Sequence, residues 1–299
     1  MTDASAGLLP AFEALDLDLS GARVRVRVGG SGPPLLLLHG YPQTQAMWHA
    51  VAPALAETHT VVLADLRGYG RSRARADVGP PSYAKREMAR DQVETMVLLG
   101  HARFSVAGHD RGARVVHRLC LDAPEAVQRA CVIDIVPTRH MFSHVDRDLA
   151  RSYYHWFFLA QPRGLPERLI AADPDFYLRW TIESWAAPGA RFDDRALRAY
   201  AEAFRDPATM AATCDDYRAA ATIDLEADEA DARAGRRVGQ ELLLVWVTRG
   251  FVGRTFDVPG VWSEYADRVS AAPVDCGHFP AEERPREVIE ALRAFLRPP

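Results

Sequence analysis

The sequence predicts an α/β chain: a mostly parallel, doubly wound sheet with a helical segment inserted into it. Three observations carry this. Short, nearly continuous apolar runs alternate with helical stretches through the first half of the chain. An acidic residue stands in a small-residue turn directly after one of those runs. The strand rhythm stops after residue 137 and returns only near residue 240.

Residues 12–19 and 23–28 alternate apolar and polar side chains, as an antiparallel edge pair does. The runs at 34–39 (PLLLLH), 60–65 (TVVLAD), 104–109 (FSVAGH) and 130–136 (ACVIDIV) are apolar almost throughout, which fits parallel strands buried on both faces. Helices are expected between them at about 44–58, 83–99 and 111–123. From 138 to 239 the chain reads as helical, rich in aromatics and punctuated by prolines. Strand signals return at 241–247 (ELLLVWV) and 269–275 (VSAAPVD), and a closing helix is expected at 286–296. The predicted organisation is a core domain of residues 1–137 and 240–299, with a helical cap of residues 138–239. Such a cap would lie over the carboxyl ends of the strands, where these sheets bind ligands.

With 299 residues, 48% of them hydrophobic, the chain can bury a sizeable core. The formal net charge of −4 gives no electrostatic reason to expect nucleic acid or an anionic membrane as a partner. No apolar stretch reaches the ~18 residues that a membrane helix needs, and the first residues lack a basic start followed by an apolar run. Cys120, Cys131, Cys214 and Cys276 have no metal-like spacing and read as buried thiols, which suits a reducing cytoplasm. Nothing in the pattern calls for a metal or an organic cofactor. The positive charge is nearly all arginine, and Lys85 is the only lysine.

The chemistry concentrates at VAGHDRGAR. Gly108-x-Asp110-x-Gly112 has the small-x-nucleophile-x-small form of a strand-to-helix nucleophile turn, with Asp where Ser is more familiar. A carboxylate is already ionised at neutral pH, so it suits displacement at a saturated carbon. The ester it forms must then be hydrolysed, which calls for a base and an oxyanion hole. His278 follows the last strand signal and is the candidate base. The segment after the penultimate strand, 242–253, holds no Asp or Glu, so its acidic partner is sought one strand earlier, at Asp134. The backbone N–H groups of Tyr41, in HGYP, and of Arg111 are the candidate oxyanion hole. Arg111 and Arg114, three residues apart on one helical face, are guanidiniums suited to gripping a small carboxylate.

HGYPQT, DLRGYGRS, GHDRGAR, the Asp134 segment and GHF together resemble the fluoroacetate and haloacetate dehalogenases of the α/β-hydrolase fold, from about residue 12 to residue 296. The resemblance implies that Arg111 and Arg114 bind the substrate carboxylate. It implies that His155, Trp156 and Tyr217 donate hydrogen bonds to the departing halide, a role that imidazole, indole N–H and phenol O–H can each fill. Trp185 is a further candidate pocket wall. The implied reaction is hydrolysis of a haloacetate to glycolate and halide through an ester on Asp110. A homodimer is implied too. Two positions depart from the family pattern: residue 41 is Tyr rather than Phe, and VWVTRG lacks a glycine after Trp246. Two other readings stand beside this one: an epoxide hydrolase using the same Asp–His–Asp triad, and a non-catalytic ligand-binding member of the fold. Arg111, where an epoxide hydrolase has an aromatic residue, favours a carboxylate substrate.

Overall fold

The computed structural model describes residues 7–76 and 78–297. Among them nine strands form one sheet in the order β1-β2-β4-β3-β6-β7-β8-β9, with the short β5 (Arg73–Ala74) paired to β2. β1 (Glu13–Asp18) and β2 (Ala22–Gly29) are antiparallel, and β2 also runs antiparallel to β4 (Thr60–Ala64). From β4 through β3 (Pro34–Leu38), β6 (Phe104–His109), β7 (Val127–Ile133), β8 (Val238–Val247) and β9 (Ala266–Val274) all pairing is parallel. The apolar runs earn their places by burial: every residue of β6, and Leu35 to Leu38 of β3, is buried.

The order of the strands creates the site. The chain passes from β3 to β4 on one side, then returns to lay β6 on the other side of β3. Loops leaving β3 and β6 therefore diverge, and a crevice opens at their carboxyl ends. HGYP leaves β3 there, and Asp110 leaves β6.

The helices of the core are α1 (Ala52–Leu55), α2 (Lys85–Leu98), α3 (Arg111–Asp122), and, after the insert, α12 (Phe251–Thr255), α13 (Val258–Ser263), α14 (Pro280–Glu283) and α15 (Pro285–Leu296). The insert is helical as expected: α4 (Thr138–Ser143), α5 (Arg147–Ser152), α6 (Tyr154–Leu159), α7 (Leu165–Ala171), α8 (Pro174–Trp185), α9 (Asp194–Phe204), α10 (Pro207–Ala220) and α11 (Ile223–Arg233). No helix among the described residues is long and apolar enough to cross a membrane. All four cysteines are buried free thiols.

Several expected boundaries move, each for a local reason. The helix expected at 44–58 breaks into a 3₁₀ turn, Gln45–Trp48, and the single turn α1. Pro53 has no N–H to continue a helix through residues 49–53, and the Gln45 N–H is taken by the Asp65 carboxylate at 2.9 Å. β7 covers Val127–Ile133 rather than 130–136, because Asp134 turns the backbone into the left-handed region at φ 54°. β8 starts at Val238, so the expected boundary at residue 239 falls inside a strand, and the helical insert ends with Arg233. β9 begins at Ala266 and carries charged, exposed residues, as sheet edges do.

Candidate active site

Asp110 sits between β6 and α3 with φ 47°, a conformation strained for any residue with a Cβ. The flanking glycines permit the turn. A Cβ on Gly112 would lie 2.5 Å from the His39 carbonyl oxygen, and one on Gly108 would lie 2.5 Å from the Gly112 backbone. The tight turn holds the Asp110 carboxylate at the start of α3, buried but reached from the crevice.

One oxygen of that carboxylate, Oδ1, accepts the Tyr41 backbone N–H at 2.9 Å. Arg111 is the first residue of α3, so its own N–H has no carbonyl within the helix to bond. Both amides assigned to the oxyanion hole thus belong to the backbone around Asp110. The other oxygen, Oδ2, lies 4.0 Å from Nε2 of His278. That is too long for a direct hydrogen bond and short enough for one water to touch both.

His278 donates from Nδ1 to Oδ2 of Asp134 at 2.7 Å, which leaves Nε2 as the basic nitrogen facing Asp110. Asp134 is itself held at the end of β7, where its N–H donates to the Val245 carbonyl and it accepts the Val247 N–H at 3.3 Å. Burial alone would lower the His278 pKa, but the bond to Asp134 and the charges of Asp134 and Asp110 outweigh it and raise it. Burial would raise Asp110, yet His278, Arg111, His109 and Arg114 together hold it below the ordinary carboxylate range. Asp110 is ionised, and His278 holds a proton more tightly than free imidazole.

The other predicted residues gather around this pair. The Arg111 guanidinium lies 4.2 Å over the Tyr217 ring, and that of Arg114 lies 4.5 Å over Trp156. His155 packs against Trp185 with ring centroids 4.4 Å apart, and against Tyr217 at 5.8 Å. Trp185 in turn meets His278 edge-on at 5.4 Å. A cavity of about 280 Å³ reaches Asp110 and His278 past Tyr153, His155 and Trp185, and its outer wall carries Arg151, Arg249 and Arg254.

Five donors in this cluster are buried without a hydrogen-bond partner among the described residues: Arg111 Nη1, Arg114 Nε, His155 Nδ1, Trp156 Nε1 and Tyr217 OH. Buried donors are costly to leave unpaired, so a concentration of them beside Asp110 marks a place for acceptors. Burial depresses the His155 pKa to about 3, so the ring is neutral. The two arginines are unequal. Arg111 is locked to Asp216, with Nε to Oδ2 at 2.9 Å and Nη2 to Oδ1 at 2.6 Å. Arg114 bonds only neutral oxygens, the Val136 carbonyl at 3.1 Å and the Thr138 hydroxyl at 3.0 Å. Burial, then repulsion from Arg111, lowers its pKa, as expected for a buried cation with no carboxylate of its own.

Residues that the sequence did not single out hold these in place. His109, neutral with its pKa pressed to about 3 by burial and by His278, donates from Nε2 to the His278 carbonyl at 2.7 Å. Glu283 collects the N–H groups of Gly277, Phe279 and Ala187, tying the His278 loop to the insert. Asp216, next to Tyr217 in CDDYRA, is the buried partner of Arg111.

A family model for the alpha/beta hydrolase fold matches residues 33–285. The chain is 44% identical over 95% of its length to a fluoroacetate dehalogenase of a Burkholderia species, covering 94% of that protein. It is 32% identical over 94% of its length to a soluble epoxide hydrolase of Corynebacterium sp. strain C12, covering 96% of it. A solved α/β-hydrolase structure from Nostoc sp. PCC 7120 superposes with a TM-score of 0.94 at 49% identity, covering 96% of this chain and 99% of that one.

Proposed function

The chain belongs to the α/β-hydrolase family and, within it, to the fluoroacetate and haloacetate dehalogenases, and from that premise we propose that it hydrolyses haloacetates, fluoroacetate among them, to glycolate and halide. The observation that carries the reading is Arg114: a buried guanidinium with no carboxylate partner among the described residues, beside an ionised nucleophile. A neutral epoxide or haloalkane gives such a cation nothing to bind. A small acid does.

The geometry supports the following steps. Arg114 and the free Nη1 of Arg111 take the substrate carboxylate. Oδ2 of Asp110 displaces the halide, since Oδ1 is held by the Tyr41 N–H. The carbon–halogen bond breaks as the carbon–oxygen bond forms, and the halide leaves toward His155, Trp156 and Tyr217. Water then loses a proton to Nε2 of His278 and attacks the ester carbonyl, whose oxygen is Oδ1. Collapse breaks the ester carbon–oxygen bond, the proton on His278 passes to the departing glycolate oxygen, and the regenerated Asp110 carboxyl loses its remaining proton to solvent. The insert, residues 138–239, acts as a cap, contributing the halide donors. A homodimer and a cytoplasmic location belong to the same reading, and light scattering of the purified chain tests the former.

The direct test is halide release from fluoroacetate, with chloroacetate and a small epoxide as comparators. Wild type is expected to release halide from both acids, and Asp110→Ala to release none. Epoxide opening without halide release would overturn the assignment.

Tyr217→Phe removes one donor for the leaving group. Fluoride is the poorer leaving group and draws more on such donors, so fluoroacetate turnover is expected to fall by ~10²-fold and chloroacetate turnover by much less. Equal losses would remove Tyr217 from halide binding.

The raised His278 pKa fixes the sign of the pH profile. The base works unprotonated, so steady-state turnover is expected to rise with pH as His278 loses its proton, a pKa that Asp134 raises but that the uncharged Asp110 ester no longer does. Ester formation needs only ionised Asp110, whose pKa is depressed, so the first-turnover halide burst should persist at acidic pH where turnover has already failed. Rapid-quench measurement of both phases separates the two limbs.

A further inference from the structure

Lys85, the only lysine in the sequence, is buried at the start of α2. Its ammonium donates to Oδ1 of Asp216 and stands 3.5 Å from Oδ2 of Asp224. Its backbone N–H donates to Oδ1 of Asp224 at 2.8 Å. Asp216 also accepts the Tyr69 hydroxyl at 2.7 Å on Oδ2, the oxygen that receives Nε of Arg111. Its backbone carbonyl accepts Nη2 of Arg111 at 3.0 Å. Core helices α2 and α3 and insert helices α10 and α11 thus meet in one buried network that leaves a single nitrogen of Arg111, Nη1, without a partner.

The charges in this network bear on the proposed carboxylate site. Arg111 paired bidentately to Asp216 alone would be neutral at a distance, and a neutral pair attracts a carboxylate weakly. Asp216, however, serves two cations. Burial tends to raise its pKa, but Arg111 and Lys85 outweigh that and keep it ionised. Asp224 moves the other way, its pKa raised first by burial, which weakens its claim on Lys85. Two cations and two carboxylates leave no formal net charge, but Oδ1 of Asp216 is shared between Lys85 and Nη2 of Arg111, while Asp224 stands farther from the ammonium at 3.5 Å, so Arg111 is less than fully neutralised beside Nη1.

We propose that Lys85 is a positioning residue of the carboxylate site. It takes a share of the Asp216 charge, so that Arg111 is less fully neutralised toward the substrate, while Asp216 and Tyr69 fix the plane of the guanidinium. The charge is assembled only when the insert is seated on the core, since Lys85 and Asp216 come from opposite sides of that boundary. The proposal rests on the reading of Arg111 as a carboxylate ligand, and its test does not require turnover.

The test compares Lys85→Met with wild type, using glycolate and the neutral glycolamide as inhibitors and chloroacetate as substrate. The inhibition constant for glycolate and the KM for chloroacetate are expected to rise together, by on the order of tenfold, while kcat and the inhibition constant for glycolamide stay within about twofold. An unchanged glycolate constant, equal weakening of glycolate and glycolamide, or a loss confined to kcat would each overturn the proposal. If Lys85→Met does not fold, Asp224→Asn decides: it frees more of the lysine charge for Asp216, so glycolate should bind more tightly, and unchanged or weaker binding would overturn the role of Lys85. Wild type that does not bind glycolate would instead refute the carboxylate site itself.

Discussion

His278→Asn is expected to turn the enzyme into a reagent that acts once. Oδ2 of Asp110 is ionised without help, so halide should still be released, one equivalent per active site. The second half-reaction loses its base, and steady-state turnover should fall by ~10²–10⁴-fold. Rapid-quench halide measurement reads the burst. Mass spectrometry of the peptide containing Asp110 should show a carboxymethyl ester. Asp134→Asn is expected to resemble it in a milder form, because the 2.7 Å bond to Nδ1 is what leaves Nε2 basic and aimed at Asp110. A burst larger than one equivalent in His278→Asn would mean that another group activates the water.

Arg114→Leu is expected to cost more in substrate capture than any other single change in the pocket. The leucine fills much of the stem volume, while the guanidinium's stacking over Trp156 is lost with the charge. The substrate carboxylate, however, would be buried with only Nη1 of Arg111 beside it. Leaving one member of a buried charge pair unpaired costs about 2–5 kcal/mol, so kcat/KM for chloroacetate should fall by at least ~30-fold. The free protein should behave oppositely. Its buried, unpartnered cation is removed, so thermal stability is expected to hold or rise. Loss of activity together with gain of stability distinguishes a binding arginine from a structural one, and a thermal melt beside the kinetic assay reads both.

The sheet was legible because burial on both faces writes itself as apolar runs. PLLLL, TVVLA and FSVAGH became β3, β4 and β6 with little change. What could not be read were the ends, where long-range partners decide. Asp134 ends β7 because its side chain answers to His278, 144 residues away. Asp65 captures the Gln45 N–H and helps break the helix expected there. Asp110, His278, Asp134, Arg111 and Arg114 were singled out from residue type and position after strands, and in the structure they lie close to one another. The network behind Arg111 was not found, since nothing local ties Asp216 to a guanidinium 105 positions earlier. The signal was present in weaker form: Asp216 adjoins Tyr217, and the sequence holds one lysine.

Everything proposed for catalysis depends on a covalent bond between Asp110 and the substrate carbon. The most direct measurement is a single turnover in ¹⁸O-labelled water with enzyme in excess over chloroacetate. Attack of water on the ester carbonyl places the label in the Asp110 carboxylate, and the first glycolate carries an unlabelled oxygen taken from the enzyme. Label in the glycolate with none in the peptide containing Asp110 would mean that water attacks the substrate carbon directly, and the aspartyl-ester mechanism would be refuted.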